Sequence, residues 1–176
     1  MKTLIDQLSQ YAAYHRDSRN IATHFVGIPM IVVAVAILLG RPNFEWAGFS
    51  WSATSLVVLA SVLYYLRLDL RYGLVMALLF GAAHEAGSAA AALPLGSWLA
   101  LGAGLFVVGW VIQFIGHYFE GRKPAFVDDM IGLLIGPLFV VAEWGFLLGL
   151  RSEVRTAVEA RAGAVRRSGG PVTEVR

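Results

Sequence analysis

Four histidines, His15, His24, His84 and His117, each sit in or beside an apolar run of the chain. Imidazole is a common metal ligand, and ionisable groups at membrane depth are costly enough that they usually mark a functional site. Cysteine is absent, which excludes disulfides, thiolate metal sites, iron–sulfur clusters and a cysteine nucleophile. His15 and His24 are nine positions apart, so at about 100° per residue one unbroken helix would point them in opposite directions. They converge only if the chain breaks between them. The intervening "RDSRN" supplies that break, because Asp17, Ser18 and Asn20 all favour helix caps and turns.

In "VIQFIGHYFEGRKPAF", residues 111–126, Gln113, His117 and Glu120 fall at i, i+4 and i+7 and form a polar column on one helix face. Glu120 is the candidate catalytic carboxylate: it can accept a hydrogen bond from one nitrogen of His117 and leave the other for a metal. His84 lies about 18 Å from Tyr72 along its helix axis, which puts it deeper than the rest. Four converging imidazoles suit Zn, Cu, Fe or Ni. On six-coordinate iron they would leave two positions for substrate and oxygen; on tetrahedral zinc they would close the site; as two pairs they could hold a haem. Spacing leaves these open. The plainer reading of each histidine is a hydrogen-bonded packing residue, and of Glu85, Glu120 and Glu143 an interhelical hydrogen bond.

The elements that must position these groups are membrane helices. Apolar residues make up 57% of the 176 and charged residues only 15%, and the mean hydropathy is +0.65, which excludes an ordinary soluble domain. Residues 3–15 read as an amphipathic helix at the membrane surface, with Leu4, Ile5, Leu8, Tyr11 and Ala12 at helical spacing. Spanning runs follow at 24–40, 52–66, 72–95 and 97–119. A fifth, 130–150, contains Pro137 and Glu143 and reads as kinked or re-entrant. No signal-peptide pattern opens the chain. Lys2, Arg16, Arg19, Arg67, Arg71, Arg122 and Lys123 place the N-terminus and alternate loops inside, and the basic tail stays inside only with an even number of crossings. The expectation is an all-α polytopic transmembrane bundle with an N-terminal amphipathic interfacial helix. One membrane-embedded domain covers 1–150, and a basic tail covers 151–176, disordered from Gly163 onward. The basic residues do not form the stripe that nucleic acid would require.

The motifs "YHRDSRNIATHFVGIP" (14–29), "AHE" (83–85) and "WVIQFIGHYFEGRKPA" with the following "FVDDMIGLLIGPLFVVAE" resemble the Mpo1-like family of membrane proteins over residues 1–150. The resemblance implies an Fe(II)-dependent dioxygenase that shortens 2-hydroxy fatty acids by one carbon with O2, with His15, His24, His84 and His117 as metal ligands. Arg16, Arg122 and Lys123, at the same interface, are the candidates to hold the substrate carboxylate. The expected location is a bacterial inner membrane, against the endoplasmic reticulum for eukaryotic relatives. The alternatives are a membrane transport or packing protein without enzymatic activity, and a haem-binding membrane protein.

Overall fold

The computed structural model describes residues 2–125 and 128–166. Seven helices are formed there: α1 (Leu4–Ala12), α2 (Ser18–Leu38), α3 (Ala53–Leu68), α4 (Leu70–Ala91), α5 (Leu95–Glu120), α6 (Gly132–Leu147) and α7 (Ser152–Ala162). Between α2 and α3 lies a hairpin of β1 (Phe44–Trp46) and β2 (Phe49–Trp51), paired antiparallel. Ala47 and Gly48 both take positive φ, 52° and 77°, as a two-residue hairpin turn requires. Phe44, Trp46 and Phe49 are exposed on it, which suits an aromatic belt at a membrane–water interface.

Helices α2, α4 and α5 are each long and apolar enough to cross a membrane; α3, at 16 residues, is shorter. These four run alternately up and down. Close packing between α2 and α5 depends on small residues: a Cβ added to Gly116 would fall on Thr23 Oγ1 and within 2.5 Å of Asn20 Oδ1, and one added to Gly109 within 2.7 Å of Ile31. That approach brings the start of α2 against the end of α5, where His24 and His117 lie. In the same way Gly87 of α4 abuts the backbone of Ala36.

Helix α6 turns back toward α1. Its entry is tied to α1 by Lys2 and Asp129 (3.5 Å) and by Tyr14 and Asp128 (2.8 Å), and its far end by Arg16 and Glu143 (3.2 Å). Both ends therefore sit at the histidine end of the bundle, and a bend of 116° joins α6 to α7. With α6 turned back, the even number of crossings expected from the charge pattern requires α3 to cross beside α2, α4 and α5. Among the described residues every Lys and Arg except Arg41 then belongs to that end or to the segments packed on it, the distribution expected of a cytoplasmic face.

The apolar face of α1 (Leu4, Leu8, Tyr11, Ala12) is buried in one core with α6 (Ile135, Leu138, Phe139) and α7 (Val154, Val158). A capping box of Thr3 and Asp6 starts α1. Residues 152–162, in the segment expected to form a tail, are thus a helix docked on α1, held also by Arg161 to Asp6 (2.6 Å) and Arg151 to Asp69 (2.9 Å). The disorder expected from Gly163 onward falls mainly on residues 167–176, outside the described residues. Gly163–Arg166 run back across the α1–α2 elbow, with Ser18 donating to the carbonyl of Arg166 (3.0 Å) and Arg166 N–H to that of Arg16 (2.7 Å).

Candidate metal centre

Three of the four histidines meet. His15 follows the end of α1, Asp17 caps α2 so that His24 enters about two turns later, and His117 is in the last turn of α5, which Gly121 ends with a left-handed cap at φ 70°. Their ring centroids are 4.5 Å (His15 to His24), 4.9 Å (His15 to His117) and 5.2 Å (His24 to His117) apart. One ring nitrogen from each lies within 4.8 Å of the others. Nitrogens bound to one ion at about 2.1 Å stand roughly 3.0 to 3.4 Å apart, so a closure of about 1.5 Å lets them share it.

The hydrogen bonds orient two of the rings. His15 Nδ1 is 2.7 Å from the carbonyl of Tyr11, and His24 Nδ1 is 2.8 Å from that of Asn20. A carbonyl only accepts, so Nδ1 carries the proton in both rings and Nε2 presents its lone pair. Both bonds reach back four residues, and the Tyr11 carbonyl is available because α1 ends at Ala12. His15 Nε2 and His117 Nδ1 are buried without any partner. Burial, with the neighbouring His24, holds the His15 imidazole well below its ordinary range, so it is neutral and able to ligate near pH 7. Tyr11 stacks on it at 4.1 Å. Buried, neutral imidazoles with orphaned nitrogens are the donor set that a divalent transition metal takes.

His84 does not join them. It lies on α4 in the half of the bundle nearer the hairpin, with Nε2 2.8 Å from Ser55 Oγ at the start of α3 and Nδ1 3.5 Å from the exposed Glu85. The cause is depth: fourteen residues from Leu70 carry it about 21 Å from the histidine end.

Glu120 is placed differently from expectation as well. Its Oε2 accepts from the N–H of Asp17 (2.8 Å) and from Asn20 Nδ2 (3.1 Å), and its Oε1 from Arg166 Nη2 (2.7 Å). It clamps the α1–α2 elbow to the end of α5 and does not orient His117; the backbone carbonyls of Tyr11 and Asn20 orient the other two rings, His15 and His24. Among the three expected substrate cations, Arg16 is spent on Glu143, on the carbonyls of Ala12 and His15 (2.8 and 2.9 Å) and on that of Gly163 (3.2 Å). Arg122 donates to the carbonyl of Ala13 (2.9 Å), and Lys123 pairs with Asp128 (2.5 Å). The residues that sequence reasoning passed over are Asn20 and Arg166, which bind Glu120, and Gln113, which it placed on the polar column without a role.

Beside the trio is a cavity of about 70 Å³ lined by Tyr11, His24, Gln113, His117 and apolar residues of α5 and α6. Through Val32 and Pro137 it adjoins apolar cavities of about 240 and 570 Å³; the larger runs between α2, α3 and α5 to Val35, Leu39 and Thr54.

Residues 1–147 match the family described as 2-hydroxy-palmitic acid dioxygenase Mpo1-like. Among curated proteins, 2-hydroxy-palmitic acid dioxygenase MPO1 of Saccharomyces cerevisiae is 30% identical over 161 residues, covering 89% of this chain and 87% of its own length. No solved structure matches. The relative is eukaryotic, and nothing in the comparisons supports the bacterial inner membrane expected from the sequence. The match spans every element that builds the histidine trio, and the chain belongs to the Mpo1-like family.

Proposed function

We propose that this chain is an iron-dependent dioxygenase of 2-hydroxy fatty acids, acting from within a lipid bilayer. The observation that carries the reading is the buried trio His15, His24 and His117, with two nitrogens unpartnered, opening onto an apolar cavity system that suits an acyl chain. The name of the yeast relative supplies the substrate class. The overall change balances without a co-reductant: a 2-hydroxy acid and O2 give the acid one carbon shorter, CO2 and water, with the substrate supplying all the electrons that reduce O2.

The three histidines would hold Fe(II), which when bound supplies the one-electron chemistry that O2 needs to react with a closed-shell acid. The chain does the rest. The carbonyls of Tyr11 and Asn20 fix the imidazole tautomers, Glu120 and Arg166 lock the elbow that carries His15 and His24, and the apolar walls exclude water. From His24 to Leu39 is about 22 Å of helix, and a sixteen-carbon chain at about 1.25 Å per carbon is close to 19 Å, so the cavity beside α2 is long enough for it.

A haem does not fit as well, because the three rings pack edge to face with about 70 Å³ beside them. A proton path is not favoured either: above Gln113 the inner face of α5 continues as Gly109 and Gly102, without polar groups. The test is anaerobic loading with Fe(II) followed by 2-hydroxypalmitate and O2. The expected result is pentadecanoic acid and bound iron, both lost in His117→Ala; a purified wild-type protein that binds no iron and forms no shortened acid refutes the proposal.

A further inference from the structure

Gln113 stands one helical turn before His117 on the same face of α5 and lines the cavity beside the trio. It is 4% exposed, yet neither Nε2 nor Oε1 has a hydrogen-bond partner. Its amide lies over Gly27, where even a methyl carbon would come within 2.5 Å of Nε2, so the side chain fills a place kept open for it by a glycine. An amide with two donors and an acceptor, all unspent in a membrane interior, is costly unless something else completes it. The nearby cations do not compete for that role, since Arg16, Arg122 and Lys123 are all engaged elsewhere.

We propose that Gln113 is the specificity-determining residue for the head of the substrate, its Nε2 donating to the carboxylate and its Oε1 accepting from the 2-hydroxyl. This rests on the dioxygenase reading above. The amide presents a donor and an acceptor side by side, and a 2-hydroxy acid presents an acceptor and a donor side by side. A plain fatty acid offers only the acceptor, so it leaves Oε1 orphaned. Sites built around a substrate hydroxyl reject analogues lacking it far more strongly than apolar pockets distinguish methylenes. Gln113 thus selects hydroxylated from ordinary fatty acids, while the cavities beyond it accept either chain.

The experiment measures equilibrium binding of 2-hydroxypalmitate and of palmitate to the full-length Fe(II)-loaded protein in lipid nanodiscs, without O2, for wild type, Gln113→Leu and Gln113→Glu. Iron content and thermal stability are followed in parallel. Wild type should favour the hydroxy acid by about tenfold or more, and Gln113→Leu should reduce that preference to about threefold or less while keeping its iron, because the hydroxy acid loses two hydrogen bonds and palmitate only the one to its carboxylate. Gln113→Glu should weaken both acids by like-charge repulsion. Gln113→Leu should also melt no lower than wild type, because an orphaned amide is replaced by an apolar side chain, whereas a merely structural glutamine would lose stability. Under O2, KM should rise more than kcat falls. Unchanged preference in Gln113→Leu overturns the inference; should that variant fail to fold, unchanged affinity for both acids in Gln113→Glu does so. A wild type that neither binds nor shortens the hydroxy acid overturns the dioxygenase reading itself.

Discussion

Arg16 and Glu143 give the sharpest test of the packing beneath the trio. Their side chains are 7% and 10% exposed and 3.2 Å apart. Burial works against the charge of Arg16, and the carboxylate of Glu143 opposes that effect. Arg16→Met leaves Glu143 buried without its counter-ion, which costs about 3 to 5 kcal/mol. For a chain of this length that is a fall in melting temperature of roughly 10 °C. Replacing both, Arg16→Met with Glu143→Leu, removes the stranded charge, and such double replacements are often close to neutral. Three backbone carbonyls still lose their guanidinium donor, at about 1 kcal/mol each where no other partner takes over. That loss is common to the single and the double variant, so the double variant should recover most of the 3 to 5 kcal/mol, about 3 kcal/mol, relative to Arg16→Met. The assay is a double-mutant cycle of unfolding in mixed micelles, followed by tryptophan fluorescence. The same cycle separates the two roles of Arg16: if it only braces α6, the double variant regains turnover with little change in KM. A loss below about 1 kcal/mol in Arg16→Met, or a double variant no better than the single, refutes the argument.

Three further outcomes follow from the geometry. His84→Ala should keep its full iron content and lose about 1 kcal/mol of stability through the bond to Ser55, measured by metal analysis and thermal unfolding; loss of iron would return His84 to the ligand set. Val35→Phe adds about 3 Å of side chain at the far part of the larger cavity and should shift the preferred substrate about two carbons shorter at similar kcat, read from a series of 2-hydroxy acids. The hydrogen bonds from Arg151 and from the N–H of Tyr72 hold the Asp69 carboxyl below its ordinary 3.8. Its contribution to stability is complete above pH about 3.8, where the unfolded chain is also ionised, and disappears as pH falls through the lower folded value. Asp69→Asn should therefore flatten the acid limb of a stability profile below pH 4 and leave its upper part parallel.

What the sequence made legible was local. The break between His15 and His24 follows from helical angle and from the capping chemistry of Asp17, and the column of Gln113, His117 and Glu120 follows from period alone; all are present in the structure. The charge pattern favours an even number of crossings, and the ties of α6 at both ends to α1 and the elbow after it are what a helix that turns back would show. Partners distant in the chain were not legible. Glu120 sits within one turn of His117, which made it look like the ring's partner, yet its lone pairs go to Asp17, Asn20 and Arg166, residues that only the packing of α2 and of the returning C-terminal segment brings near. His84 shows the same limit in depth: its type suggested a ligand, but rise per residue carried it away from the trio, and the 18 Å already counted along α4 was the signal that it would.

Glu120 and Gln113 share one face of α5 but differ in what they bond. A carboxylate attracts a catalytic role in a sequence because it is charged, but a charge near a bundle end readily finds partners, and here it finds three. A glutamine looks ordinary in a sequence and becomes informative only when every neighbour is known and none bonds it. At membrane depth an amide without partners is the costlier observation, and its place beside the cavity makes substrate the group that completes it. The reasoning extends to Asn20, whose Oδ1 is likewise buried without a partner but lies against Gly116 in the tight contact of α2 and α5. It lines none of the cavities described above, and its amide nitrogen is already held by Glu120 and the carbonyl of Tyr14. Of the two amides, only Gln113 has both an unmet valence and a space in which to meet it.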